Sequence, residues 1–246
     1  MQIYEFYERI FAFRAATTVR RFPRLISPKK LVFIHVPKSG GTSVLVALRR
    51  AMGKHRVAEC YNRRGAEIEK RHWVISGHVR AADIEPPWAG PIWATTVRDP
   101  VDRLLSVYAL WRLSKVPPHA SRIRNKVAKG EMNILQFASM PGQRSLYSKV
   151  YFKDFPLSKL DVIIRLDQFE NGLLRLSNAI GVPLAPRHEN ASAGFARNFD
   201  DMKSEVFNDT KTMNRLRHIL ARDIRFYESM ISLPAAQSFA PQALLH

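Results

Sequence analysis

The chain has 246 residues, 46% hydrophobic and 24% charged, inside the ordinary globular range, so a single domain with a real core is expected. Its 39 Lys and Arg against 21 Asp and Glu leave a formal charge of +18, which favours anionic company: nucleic acid, acidic polysaccharide, anionic lipid or phosphorylated cosubstrates. The lone cysteine, Cys60, excludes an internal disulfide framework and a cysteine-based metal site, and it fits a reducing compartment.

The N-terminus does not read as a signal peptide, because Glu5, Glu8 and Arg9 interrupt the place of an apolar segment. No apolar run approaches the roughly 18–20 residues of a membrane span, so a soluble, cytoplasmic protein is expected. Residues 3–15 carry Ile3, Phe6, Tyr7, Ile10 and Phe11 near helical spacing, followed by Arg14, Arg20, Arg21 and Arg24. That segment reads as a helix packed on the domain, with a peripheral membrane or dimer contact as the alternative for residues 1–30. No metal is expected: the eight histidines are scattered, and His188-Glu189 begins an H-E-x-x-H pattern that Ser192 breaks.

Leu31-Val32-Phe33-Ile34-His35-Val36, between Pro28 and Pro37, suits a buried parallel strand. A Gly-containing turn and a helix over Ser43–Met52 follow, stopped by Gly53. Trp73-Val74-Ile75 is a second strand, leading into Ser76-Gly77-His78-Val79. Ile92 to Val97 is a third, with Asp99 as N-cap, Pro100 at the first helical position and Asp102 as a capping-box acid. Asp161 to Leu166 is a fourth, its helix capped by Asp167 with Glu170 three residues on, ending at Gly181. One last helix covers about 211–231, and a loose tail follows Pro234. Alternating strands and helices predict an α/β fold, an open parallel sheet with helices on both faces, whose ligands bind at the carboxyl ends of the strands.

Two segments at those ends carry chemistry. Pro37-Lys38-Ser39-Gly40-Gly41-Thr42-Ser43 offers a tight turn, inward backbone N–H groups at a helix N-terminus, the hydroxyls of Thr42 and Ser43 and a lysine charge, which together suit phosphate or sulfate. It is not a Walker A loop, which needs its lysine after the glycines and beside the hydroxyl; here the lysine comes first. A donor with one 5'-phosphate and a terminal sulfonyl fits better than a nucleoside triphosphate. The second segment runs from Arg98 to Ser106. Val101, Leu104, Leu105 and Tyr108 form the buried face of its helix, while Asp99, Asp102, Arg103 and Ser106 share the polar one. Arg98 at the strand end with Ser106 two turns on suits a second phosphate; the plainer reading pairs Arg98 with Asp102 and leaves Ser106 solvated.

In their order and placement these segments resemble the sulfotransferase superfamily. Its 5'-phosphosulfate loop reads Pro-Lys-Ser/Thr-x-Gly/Ser-Thr-Ser/Thr, and its 3'-phosphate site reads R-D-P-x-x-R-x-x-S. Pro37–Ser43 and Arg98–Ser106 match both. The longer runs resemble the carbohydrate group that includes heparan and dermatan 2-O-sulfotransferases and bacterial relatives. Three weaker matches extend the resemblance over residues 31–230: Ser76-Gly77-His78-Val79, Arg165 to Phe169, and Ala221 to Tyr227. The group often has Thr where Ser39 stands, and some members have a further His where Ser76 stands. Asn190-Ala191-Ser192 matches its Asn-x-Ser.

The resemblance implies a P-loop-like sulfotransferase fold, 3'-phosphoadenosine 5'-phosphosulfate (PAPS) as cosubstrate without a metal, and a carbohydrate, glycolipid or polysaccharide acceptor. Lys38 would neutralise the leaving oxygen and His78 would serve as general base, with Asp83 and Glu85 as rivals for that role. The basic stretch 112–130, with Arg112, Lys115, Arg122, Arg124, Lys126 and Lys129 and no acidic residue, either borders an acidic acceptor or is a solvated surface. A nucleotide kinase or other phosphate-loop NTPase is the rival enzyme, and lacks its diagnostic GK-S/T. A basic nucleic-acid-binding protein is the non-enzymatic rival; no nucleic-acid motif supports it and no nucleic-acid partner is expected.

Overall fold

Leu31–Ile34 are four apolar residues with no exposure at all, an environment found only in the middle of a sheet covered on both faces. In the computed structural model, which describes residues 28–60, 71–186 and 196–233, this segment is strand β1. It pairs in parallel with β3 (Val74–Gly77) on one side and β4 (Ile92–Val97) on the other. Strands β2 (Val57–Cys60) and β5 (Val162–Arg165) complete an all-parallel sheet of order β2-β3-β1-β4-β5. Helix α1 (Gly41–Met52) follows β1, α2 (Pro100–Leu113) follows β4, and α6 (Phe169–Ile180) follows β5. Between them lie α3 (Arg122–Lys129), α4 (Ile134–Ser139), the single turn α5 (Pro141–Arg144) and a π-helical turn over Leu146–Tyr151. Helices α7 (Ala196–Asn208), α8 (Thr210–Ile219) and α9 (Ala221–Ile231) end the described chain.

The expected open sheet with helices on both faces is observed, and alternation along β1 shows how it is built. Leu31 and Phe33 join Val44, Leu45 and Leu48 of α1 and Leu173 and Leu176 of α6 in one core. Val32 and Ile34 face the other way, into Tyr147, Tyr151, Phe152 and Met230. A third cluster stands beyond the sheet, where Leu104 and Leu105 of α2 meet Val127, Phe137, Met213 and Leu216. Among the described residues no helix is long and apolar enough to cross a membrane.

Several local expectations are corrected. Strand β2 was not expected: four residues broken by Glu59 give too little periodic signal. The predicted helix over 211–231 is two helices, broken at Leu220, and α7 precedes them. Asp99 caps α2, accepting from Val101 N (2.9 Å) and Asp102 N (3.0 Å), but Asp102 turns outward to ion pairs, and no capping box forms there. Asp167 likewise pairs with Arg165 instead of capping α6, which starts after a short 3-10 turn. Part of the basic stretch is the helix α3, capped by Ser121 and stopped by Gly130. The expected N-terminal helix over 3–15, the Asn190–Ser192 match and the tail after Pro234 lie outside the described residues.

The connection from β1 leads past β3 toward β2, while that from β4 leads the opposite way to β5. The crevice between the carboxyl ends of β1 and β4 is therefore the switch point where such sheets bind ligands.

Candidate functional site

The loop Pro37–Gly40 rises from β1 at that crevice. Lys38 adopts φ 63°, a left-handed conformation uncommon for a residue with a side chain, and Gly40 adopts φ 89°. The two turns deliver the chain into α1, whose first turn has no acidic residue. Gly41 and Thr42 open that helix, where N–H groups have no carbonyl within it to bond. Thr42 is exposed there, whereas Ser43 is buried. Gly41 is needed for a different reason than the turn. A Cβ on it would stand 2.2 Å from His35 Cδ2, so the ring of His35 fills the space a side chain would take.

Arg98 leaves β4 and points toward this loop. Its Nη1 donates to the Lys38 carbonyl at 3.3 Å, and its Nε donates to Asp102 Oδ2 at 2.5 Å. The other oxygen of Asp102 takes Lys203 Nζ of α7 at 2.5 Å. Burial alone would raise the Asp102 carboxyl; the hydrogen bonds and charges of Arg98 and Lys203 outweigh it and hold the group below its usual range. Burial, and behind it the charge of Arg98, pushes the Lys38 ammonium below the ordinary lysine range. Two cations, Arg98 and Lys203, thus share one carboxylate, and the Lys38 ammonium near Arg98 adds positive charge beside the helix N-terminus, an arrangement an incoming anion would relieve.

His78 follows β3, beside Gly77, whose hydrogen is obligatory because a Cβ would collide with the Cys60 carbonyl at 1.7 Å. The His78 Nδ1 lies 2.6 Å from the His35 carbonyl oxygen. A carbonyl only accepts, so Nδ1 carries the proton and the lone pair sits on Nε2. Burial lowers the His78 pKa, against the raising effect of that bond. The His35 ring lies 4.3 Å from that of His78, is 5% exposed, and has a buried Nδ1 with no hydrogen-bond partner among the described residues. Burial, then the proximity of His78, pushes the His35 pKa down to about 3, so it is neutral. Asp83 is held at the surface by Arg80 Nε at 2.9 Å, and Glu85 is exposed.

Beneath Lys38 and Arg98 lies a dry polar network. Ser39 is fully buried, and its Oγ is 3.2 Å from the hydroxyl of Tyr147, also fully buried. That hydroxyl accepts from Arg98 N at 3.0 Å and donates to Arg98 O at 2.8 Å. Asp223, 1% exposed, accepts from Tyr147 N (2.8 Å), Ser148 N (3.0 Å) and Ser148 Oγ (2.7 Å). Arg103, 2% exposed, donates to Gln143 Oε1 at 3.0 Å. Burial lowers its pKa, while Tyr147, Asp223 and Tyr151 favour its charge. The polar face read for α2 is thereby corrected: Arg103 and Ser106 are buried, and around Arg103 stand Gln143 of α5, Tyr147 and Tyr151 of the π-helical turn and Asp223 of α9, on a side that looked solvated in isolation.

Of the residues singled out in sequence, Lys38, Ser39, Gly40 and Arg98 meet around one point, joined through bonds to Tyr147 and Lys38 O. His78 is tied to the same region through His35, the residue that links β1 to the loop. Sequence reasoning missed His35, Tyr147, Arg103 and Lys203. His35 left a signal, a polar residue at the end of an otherwise apolar strand; Tyr147 left none. Among the described residues no three His, Cys, Asp or Glu side chains group as metal ligands.

No protein-family model and no curated protein matches the chain. Among solved structures it is similar to mouse sulfotransferase SULT7A1 complexed with PAP, at 15% identity, covering 72% of this chain and 66% of that one, with a TM-score of 0.40. The chain thus spans just under two thirds of that protein, and a likeness this distant identifies neither a family nor an activity.

Proposed function

We propose that the chain is a sulfotransferase that moves a sulfonyl group from PAPS to a hydroxyl of a carbohydrate-like acceptor. The observation that carries this reading is the meeting of Lys38 and Arg98 at the β1–β4 switch point, beside a helix N-terminus without an acid. Two cations held together against their own repulsion suit a donor with phosphates at both ends of its nucleoside, and the order Pro37-Lys38-Ser39-Gly40-Gly41-Thr42-Ser43 followed by Arg98 to Ser106 fits such a donor. In this reading the N–H groups of Gly41 and Thr42 and the Lys38 ammonium hold the 5' end. Arg98 holds the 3'-phosphate, with Ser106 on the same helix.

The acceptor oxygen attacks sulfur while the bond from sulfur to the 5'-phosphate oxygen breaks. Sulfate ester and 3'-phosphoadenosine 5'-phosphate (PAP) are the products, and the hydroxyl proton passes to Nε2 of His78. Lys38 neutralises the charge that grows on the leaving oxygen, and the loop, held by its buried Ser39, fixes the line of attack. His78 suits the base role because its proton is already committed to the His35 carbonyl side. Asp83, neutralised by Arg80, suits it less.

The exposed Lys115, Arg122 and Lys129 favour an acidic acceptor such as a glycolipid or polysaccharide, while Arg112 and Arg124 are engaged by the Ala128 carbonyl and by Ser114 Oγ. A cytoplasmic location with a peripheral membrane contact through the N-terminal residues belongs to the same proposal. Incubating the protein with labelled PAPS and a panel of sugars, glycolipids, polysaccharides and phenols tests it. Label is expected on a sugar hydroxyl, with transfer by Lys38→Ala strongly reduced. ATP or GTP hydrolysis without PAPS turnover would support an NTPase instead, and a salt-sensitive DNA shift without PAP affinity a nucleic-acid-binding protein.

A further inference from the structure

A tyrosine hydroxyl has one proton and two acceptor positions. That of Tyr147 uses all three: its proton goes to the Arg98 carbonyl, and it receives the Arg98 N–H. With the proton so committed, the Ser39 hydroxyl at 3.2 Å must be the donor to Tyr147. One buried oxygen therefore ties the middle of the Lys38 loop to both backbone groups of the residue that ends β4. Its position is itself enforced. Asp223 accepts three hydrogen bonds from the π-helical turn that carries Tyr147, and the buried Arg103 guanidinium lies beside both. Two elements far apart in sequence, residues 37–43 and residue 98, are thus gripped by a third, residues 146–148, which a fourth, helix α9, anchors.

We infer that Tyr147 is a positioning residue that sets the spacing between the Lys38 loop and Arg98, so that both phosphate ends of one nucleotide are recognised together. This rests on the donor reading above and extends it, because the spacing is a property neither loop has alone. A network kept only for stability would need no contact to Ser39 and to both backbone groups of Arg98 through one atom. Unmade bonds at a fully buried hydroxyl are costly, which is why the site holds this geometry before a ligand arrives.

The test is titration of PAP and AMP into the full-length wild type, Tyr147→Phe, Ser39→Ala and the double variant, with thermal unfolding recorded for each. Tyr147→Phe should lose about tenfold in PAP affinity, with a much smaller loss for AMP, which lacks the 3' end. Ser39→Ala should lose less, and should add nothing in the Tyr147→Phe background, because the bond it removes is already gone. A role in stability alone would lower the unfolding temperature while leaving the PAP-to-AMP ratio at the wild-type value, and that result overturns the inference. If Tyr147→Phe does not fold, the PAP-to-AMP ratio of Ser39→Ala decides: a fall supports the inference, and an unchanged ratio overturns it. Wild type that binds no PAP would instead overturn the donor reading, and with it the nucleotide spacing.

Discussion

The two halves of the site are built on opposite electrostatic terms. Around β4, Arg98 and Lys203 share a single carboxylate, and Lys38 stands near Arg98 with no acid of its own in that set, so the site is left with unneutralised positive charge. Around β3, the rings of His35 and His78 lie close and tilted, largely buried and neutral, and His78 Nδ1 bonds a backbone carbonyl. In the proposed reading, one half attracts an anion and the other remains uncharged until it takes a proton. What separates them is where each residue type starts: burial lowers the pKa of Lys38 and of His78 alike. Lysine starts far enough above neutrality to remain charged, and histidine starts close enough to lose its charge.

Removing the proposed base should have the largest effect on this contrast. His78→Ala is expected to lower kcat by about 10²–10⁴-fold while PAP affinity stays near wild type. Because the neutral ring is the active form, wild-type kcat should rise with pH through the His78 pKa and then level, with its midpoint below 6.5. A wild-type-like kcat in His78→Ala, with the acidic limb in place, would move the base to Asp83, Glu85 or water. On the charged side, Lys38→Ala should lower kcat by about 10²–10³-fold, the scale of losing one stabiliser of developing charge, and weaken PAP binding far less. Single-turnover transfer beside PAP titration separates the two quantities, and equal losses would make Lys38 a binding group only.

The neutral half also makes a prediction about stability. His35 has a pKa of about 3 when folded and the ordinary 6.5 when unfolded, so the unfolded chain binds the extra proton first. The stability it supports is fully present above pH 6.5 and is lost as pH falls toward 3, with a slope of up to about 1.4 kcal/mol per pH unit. Denaturant titrations of wild type and His35→Gln should differ in slope within that window and run parallel above it. Parallel slopes throughout would show that His35 titrates normally. Gly41→Ala should reach the same ring from the loop side, costing about 1–3 kcal/mol by overpacking against it. The smallest effect belongs to the surface. Acceptor KM should rise with salt if Lys115, Arg122 and Lys129 meet an acidic acceptor, and a salt-independent KM would leave them as a solvated face.

The charged half was largely legible in the sequence, because its chemistry comes from local patterns. Lys38, Gly40 and Arg98 lie at strand ends, where apolar runs stop at glycine or charge, and periodicity locates such ends well. The parallel sheet followed from the same alternation. The supporting shell was not legible. Tyr147 meets Ser39 across 108 residues and Arg98 across 49, and no local pattern encodes such pairings. Arg103 and Ser106 were misplaced on a solvated face because an isolated helix does not show which later helices will cover it. Asp102 had the right spacing for a capping box, but two cations from outside its helix outcompete the backbone for it.

The central claim is that Lys38 and Arg98 together hold a nucleotide phosphorylated at both ends, and calorimetric titration of wild type and Arg98→Ala with PAP and with AMP tests it most directly. The account predicts that wild type binds PAP well above AMP, and that Arg98→Ala loses affinity for PAP while its affinity for AMP changes little. Equal losses for the two ligands, or a wild type that does not prefer PAP, would contradict it.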